Sequence, residues 1–392
     1  MFALSLVIAL SWAVLLWSVF TDADGDDRAL VGDVEPWTGR LYIADTSARS
    51  EAVLIVEARV RRAHIVQSFA SGTGTSIAVS ADGSRLVEAF IACGGCGGVL
   101  SVVDTRWGHV EQRIPLSWPD GRRYVAPARQ TVTPTVALSP DGRVAFAWAT
   151  GPGLDVSIGT IDVDQGTVSA MSAGLDPGCA PGDVLVPLPE PRTIAIVCAQ
   201  SRDVRFLSIA ADGSLLDAEA VELPSGGADG SIGRTPAGMG VPVAATPSSD
   251  LSRLFMVRSD GTVVTLDLAN REIDGVVGLL VPRGHVVAPG ATLVFSAAAP
   301  GELAVAFRPA GPGAHAADVI RTFDAETWRI RTEVTVDDPF EVMTRAPDDD
   351  SLLVFHRGRP GLRVVDRDTG RVTQLLTEIR RPGFAVVPLL SE

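Results

Sequence analysis

The stretch Val364–Val372 (VVDRDTGRV) recurs along this chain, and that recurrence limits what it can fold into. Two apolar or β-branched residues lead into an Asp, and six residues after the Asp the chain is apolar again. The pattern returns at Val102–Val110 (VVDTRWGHV), Thr160–Val168 (TIDVDQGTV), Thr265–Ile273 (TLDLANREI) and Thr322–Ile330 (TFDAETWRI). A degenerate copy lies at Ser208–Leu216, where Ala210 replaces the Asp, and a weaker one surrounds Glu57. Each copy reads as a strand, a short polar turn and a second strand. Asp suits the strand exit because its carboxylate accepts a hydrogen bond from an amide two residues on. One supersecondary unit repeated at blade length is the signature of a β-propeller.

The segments between the copies fit that reading. Arg40–Asp45, Ala52–Val56 and His64–Phe69 form a first blade. Ser76–Val79, a turn at Ala81-Asp82-Gly83 and Leu86–Ala92 open a second; Thr135–Leu138, Pro140-Asp141-Gly142 and Val144–Trp148 open a third. Pro presets φ, Asp caps the turn and Gly takes positive φ. Further inner strands begin near Asp183, Val241, Ala291 and Phe340. The expected fold is all-β: a seven-bladed β-propeller of four-stranded antiparallel blades over residues 35–392. The last apolar run, Pro382–Pro388, has no blade of its own and is expected beside Arg40–Asp45, closing the ring and hiding its edges. Ala29–Val34 competes for the same place.

Residues 1–20 are almost wholly apolar from Phe2 to Phe20 and approach the length that spans a bilayer as a helix. The run exceeds a usual signal-peptide core, and no basic segment precedes it. We expect a hydrophobic helix acting as an uncleaved signal anchor, with a cleaved signal peptide as the alternative, then an acidic linker over residues 21–34. Either places the propeller outside the cytoplasm, periplasmic or at the cell surface; an uncleaved helix tethers it to the membrane. The net charge of −14 argues against a nucleic-acid partner. The chain has no lysine, which excludes Schiff-base chemistry and a Walker-type phosphate loop.

In a blade of four up-and-down strands, the loop from the second to the third strand shares a face with the link to the next blade. Long loops on that face are where a propeller carries a site: residues 118–130, 174–182, 225–240, 308–317 and 356–361. Arg122, Arg123, Tyr124 and Arg129 cluster in the first of these. They read either as a cationic patch for an anionic ligand or acidic partner, or as arginines paired with Asp120 and other carboxylates. His315 and His356 lie in the last two. The five histidines form no metal-binding array, and no serine sits in a nucleophile elbow. No catalytic residue, metal site or cofactor is therefore expected. Four cysteines in an extracytoplasmic chain suggest two disulfides. Cys179 and Cys198 fall on one face of the fourth blade, where a bridge is plausible. Cys93 and Cys96, in a Cys-Gly-Gly-Cys turn, read as a structural bridge or as a redox pair; no helix is expected there to support redox chemistry.

The order of Gly39–Asp45 (GRLYIAD), Ala78–Ser84 (AVSADGS), Val99–Asp104 (VLSVVD), Val136–Arg143 (VALSPDGR), the Cys179/Cys198 pair and Arg381–Val387 (RPGFAVV) resembles the heavy chain of quinoprotein amine dehydrogenases, within the YVTN-like propellers. The resemblance implies a seven-bladed disc with a disulfide in its fourth blade and no cofactor of its own. It also implies a separate light chain bearing a tryptophan-derived quinone, with a periplasmic electron acceptor. The family's long N-terminal arm and its Trp- and Gly-rich insertion before the sixth blade are absent, and both contact the light chain. The expectation is a non-catalytic binding or scaffold propeller with a protein partner on the loop face. A true dehydrogenase heavy subunit is the alternative, and a propeller-type lactonase or other hydrolase the second alternative.

Overall fold

A computed structural model describes residues 28–29, 40–45, 52–57, 62–66, 73–92, 97–126, 135–151, 155–169, 178–181, 183–212, 214–224, 242–288, 293–296, 301–310, 318–337, 340–346, 351–355, 361–367, 369–376 and 382–386. They form β-strands and no helix. Among them no helix is long and apolar enough to cross a membrane; the expected anchor at residues 1–20 lies outside the described residues.

The strands assemble into seven sheets with antiparallel ladders. In sheet 1, Arg28–Ala29, Arg62–Val66, Ala52–Glu57, Leu41–Asp45 and Pro382–Val386 lie side by side in that order. Of Ala29–Val34, the competitor for the free edge of Leu41–Asp45, only Ala29 is among the described residues. Pro382–Val386 takes that edge, and Arg28–Ala29 pairs with the opposite, outer edge. Sheet 2 runs Thr73–Val79, Arg85–Ile91, Gly98–Asp104, His109–Leu116; sheet 4, Val184–Pro187, Thr193–Cys198, Asp203–Ile209, Leu215–Glu222. Sheet 5 runs Pro242–Pro247, Arg253–Arg258, Thr262–Asp267, Glu272–Gly278; sheet 7, Val342–Arg345, Ser351–Phe355, Leu362–Asp366, Val372–Leu376. In sheets 3 and 6 the first strand is split. Arg123–Tyr124 and Val136–Leu138 both pair with Val144–Thr150, beside Val156–Asp162 and Thr167–Val168. His285–Val287 and Leu293–Ser296 both pair with Glu302–Pro309, beside Asp318–Asp324 and Ile330–Val336.

Each sheet packs face to face on the next, so its middle strands need apolar residues on both faces. Val144–Thr150 (VAFAWAT) shows how side-chain alternation supplies this. Phe146 and Trp148 point into the layer shared with sheet 4, against Ile194, Ile196 and Leu207. Ala145, Ala147 and Ala149 point the other way, into the layer shared with sheet 2. Trp118 and Tyr124 fill the space those small residues leave. Both side chains lie so close to a neighbouring strand that only glycine fits beneath them: a Cβ at Gly159 would collide with the Trp118 indole, and one at Gly98 would sit 2.5 Å from the Tyr124 Cβ. Comparable apolar layers join sheets 1 and 2, 4 and 5, 5 and 6, and 6 and 7.

The repeated Asp does what its position suggests. Asp104, Asp267 and Asp324 each accept amides two and three residues on, at 2.7–3.1 Å, and Asp162 and Asp366 accept the amide three on. The residue four on is left-handed in all five copies: Gly108, Gly166, Arg271, Trp328 and Gly370, with φ from 56° to 70°. The αL residue closes the turn, and a bulge beside it at Val102/Val103, Thr265/Leu266 and Thr322/Phe323 matches the twist of the strands. L-residues other than Gly resist this conformation by about 1–2 kcal/mol. Arg271 and Trp328 adopt it, and both reach the preceding sheet. The Arg271 guanidinium lies over Phe206 and bonds Glu219, while Trp328 meets Phe255 edge to face.

Candidate functional site

The antiparallel order gives the sheets two unlike ends. At one end lie the turns between first and second strands and the Asp hairpins. The first-to-second turns repeat one network in sheets 2, 3 and 5. Ser80, Ser139 and Ser248 donate to Asp82, Asp141 and Asp250 at 2.6 Å and accept the amide five residues on. Ion pairs then tie neighbouring sheets here: Arg85–Asp164 (2.5 Å), Arg192–Asp162 (2.8 Å) and Arg367–Glu302 (3.3 Å). The side chains named here hold one another within and between sheets, which makes this end a frame, although Arg192 Nη1 is buried without a hydrogen bond.

The other end carries the inter-sheet links and the second-to-third loops, and it is the candidate site. Cys93, Cys96, Arg129, His315 and His356 lie outside the described residues. The remaining predicted residues divide. Arg122 is committed to its neighbours: Nε to Asp120 (2.7 Å), Nη2 to Asp155 (2.7 Å) and Nη1 to the Ser157 hydroxyl (2.7 Å). Tyr124 is buried, its hydroxyl 2.7 Å from that of Thr135. Arg123, between them, is exposed. It sits in register with Thr150 at the far end of sheet 3, the place His285 takes beside Pro309 in sheet 6. The split first strands therefore put one basic or titratable side chain on this end of each of those two sheets.

Cys179 and Cys198 are joined in a disulfide with Cα atoms 4.7 Å apart. Beside it Asp183 accepts the amides of Ala180 (2.8 Å) and Ala199 (3.2 Å), and Asp203 is held by the Ser201 hydroxyl (2.6 Å) and Arg205 (3.3 Å). The two sulfurs and Asp203 lie within 4.8 Å of one another, but the bridge leaves no thiolate for a metal. Burial pushes the Asp183 carboxyl above its ordinary value, against its two amide bonds, and the Asp203 charge adds to the rise.

Sheet 6 carries a second buried group that sequence reasoning did not select. Asp318 accepts the Phe340 amide (3.1 Å) and Arg308 donates to the Phe340 carbonyl (2.6 Å), so one cross-strand pair holds both polar groups of the link to sheet 7. Arg308 Nε and Asp318 Oδ1, 3.7 Å apart, face each other as charges without a hydrogen bond. Burial raises the Asp318 carboxyl despite that amide and the Arg308 charge. In sheet 5, Arg258 is buried and donates to the Pro224 carbonyl of the preceding link. Desolvation lowers its guanidinium from the ordinary value. The one trace these groups leave in sequence is a charge at the end of an otherwise apolar strand, as in RLFMVR.

An architecture of stacked four- and five-stranded antiparallel sheets with turns at one end and links at the other defines a β-propeller. The chain matches no family model and none of the curated proteins. Solved structures do resemble it. The β-propeller domain of Cps50 (Swd1) from Myceliophteria thermophila aligns with 79% of this chain and 87% of its own, at 15% identity and a TM-score of 0.51. A periplasmic gluconolactonase of Pseudomonas aeruginosa, PpgL, aligns with 90% of this chain and 99% of its own, at 16% identity and a TM-score of 0.62. A putative 6-phosphogluconolactonase of Bacteroides uniformis aligns over the same shares, at 14% identity and a TM-score of 0.58. At such identities the likeness establishes the fold.

Proposed function

We propose that this chain is an extracytoplasmic seven-bladed propeller that binds a protein partner on its link-and-loop end and is not catalytic by itself. The observation that carries the reading is the asymmetry of the two ends: one is locked by repeated Asp and Ser networks, the other gathers the long links and both split first strands. A rigid frame presenting variable loops is the arrangement a binding scaffold uses. Seven blades in a closed ring are supported by the neighbours of the innermost strands. Pro382–Val386 lies next to Thr73–Val79, and contact then passes through Val136–Leu138, Val184–Pro187, Pro242–Pro247, Leu293–Ser296 and Val342–Arg345 back to Pro382–Val386. The Cys179–Cys198 bridge supports an oxidising compartment. Residues 1–20 are proposed as anchor or signal peptide, 21–34 as linker and 35–392 as the propeller. Arg123 leads the partner contact, with Arg129, His315 and His356 as further contributors; Arg122 and Tyr124 shape the loop.

The test is affinity capture of the native full-length chain from detergent-solubilised envelopes, with mass spectrometry and a quinone stain. A stoichiometric envelope protein without quinone is the expected result. A small, cysteine-rich, quinone-positive chain would make the protein an amine dehydrogenase heavy subunit. Recovery of the chain alone would remove the scaffold reading. A second reading, lactone hydrolysis, is favoured by the names of two of the structural neighbours, which align along nearly their whole length. Turnover of glucono-δ-lactone by the purified chain, followed by acid release, would overturn the non-catalytic proposal.

A further inference from the structure

The outer strand of sheet 4, Leu215–Glu222 (LLDAEAVE), differs from the other described outer strands. All of its residues except Val221 are exposed, and Val221 packs against the layer shared with sheet 5. In sheet 2 the outer strand carries Pro115 and buries Ile114 and Leu116; in sheet 6 it buries Val334 and Val336. The sheet 3 outer strand is only Thr167–Val168, and that of sheet 5 contains Gly275 beside a bulge. Proline, bulges and shortness are the usual means of blunting an edge; Leu215–Glu222 has one bulge at its start, beside Leu216, and then runs from Asp217 to Glu222 with neither proline nor bulge.

The register shows what this edge offers. The Leu223 amide donates inward to the Arg202 carbonyl at 2.9 Å. Antiparallel alternation then turns Val221, Glu219 and Asp217 inward, and Ala218, Ala220 and Glu222 present their amides and carbonyls outward. Two of these three are alanines, which let another backbone approach. Leu216, strongly exposed at the strand's start, supplies an apolar contact. The strand also carries three acids, against the single charge of Arg271 that reaches Asp217 and Glu219. Sheet 1 holds a precedent in the same molecule, since Arg28–Ala29 adds to its outer edge as a further strand.

We infer that the outer edge of sheet 4 is a docking edge for an extended basic segment of a partner protein, which adds as a fifth antiparallel strand. Main-chain hydrogen bonds provide the affinity, and arginine or lysine side chains opposite the acids provide the selectivity. A second copy is a poor occupant, because self-pairing sets the three carboxylates of one strand against the same three. This surface lies on the rim and is separate from the link-and-loop end.

The test titrates a synthetic peptide of alternating arginine and threonine into the full-length chain, with an alternating glutamate and threonine peptide as control. Expected are saturable binding of the basic peptide alone, weakening with salt, and slowed hydrogen exchange at the Ala218, Ala220 and Glu222 amides. Ala220→Pro removes one outward amide without touching the inner ladder and should weaken binding about tenfold. Glu222→Arg, which leaves the backbone intact, should weaken it too and guards against misfolding of the proline variant. No saturation at about 1 mM peptide overturns the proposal. So does protection elsewhere, wild-type affinity in both variants, or self-association of the chain that Ala220→Pro abolishes.

Discussion

Asp324 shows how much one side chain settles in this molecule. Its carboxylate accepts the amides of Glu326 and Thr327 and the Arg331 guanidinium at 2.6 Å. The Thr327 amide and then Arg331 hold its carboxyl far below the ordinary 3.8. A depressed folded-state pKa means stabilisation that is complete above the unfolded value and drains as pH falls toward the folded one. In urea unfolding, the stability gap between the wild type and Asp324→Asn should stay constant from about pH 8 to pH 5 and shrink below about pH 4. A gap independent of pH would mean the charge contributes nothing. This aspartate was legible in the sequence because the bond it makes is local. The residue four positions on was only partly so. Glycine marks it in three copies, but Arg271 and Trp328 bear the left-handed strain where their side chains find Phe206 and Phe255 on another sheet. Nothing near them in the sequence announces those partners.

Among elements, sheet 4 depends on a covalent tie that the others lack among the described residues. Cys179 and Cys198 are 19 positions apart and buried in the apolar layer that holds Trp148. Closing a loop of that size restricts the unfolded chain by about 3 kcal/mol. The Cys179→Ala/Cys198→Ala variant should therefore lose about that much stability in urea; a loss under about 1 kcal/mol would show that the bridge constrains little. Because both sulfurs are buried, a thiol reductant should act only as the protein unfolds. The strands of this sheet were legible as apolar runs bounded by turns. Arg123–Tyr124 and His285–Val287 were not, because two or three residues are too few to display an alternation. The buried charges of the link end escaped for a related reason. Arg258, Arg308 and Asp318 meet backbone groups that arrive from a different part of the chain, and Asp183 adds the distant Ala199 amide to the nearby one of Ala180.

Over the whole molecule, the proposed ring closes through hydrogen bonds alone. Ending the chain at Arg381 removes one of the two strand partners of Leu41–Asp45 and opens an edge at Leu41, Tyr42, Ile43 and Ala44, all buried in the intact protein. The shortened chain should melt at a lower temperature and self-associate in sedimentation, as an unpaired apolar edge does. An unchanged melting curve would count against closure. The sequence pointed to this pairing because the final apolar run had no hairpin of its own, but it could not choose between that run and Ala29–Val34. Composition ranks both as strands, and only the register with Tyr42, Ile43 and Ala44 separates them. The same pairing sets a timetable for biosynthesis. A chain made from its N-terminus exposes Leu41–Asp45 before the strands of the other six sheets and synthesises its neighbour Pro382–Val386 after them. Sheet 1 therefore waits with a raw edge while the other six are being made, and the newborn protein needs shelter on that side until Pro382–Val386 has emerged.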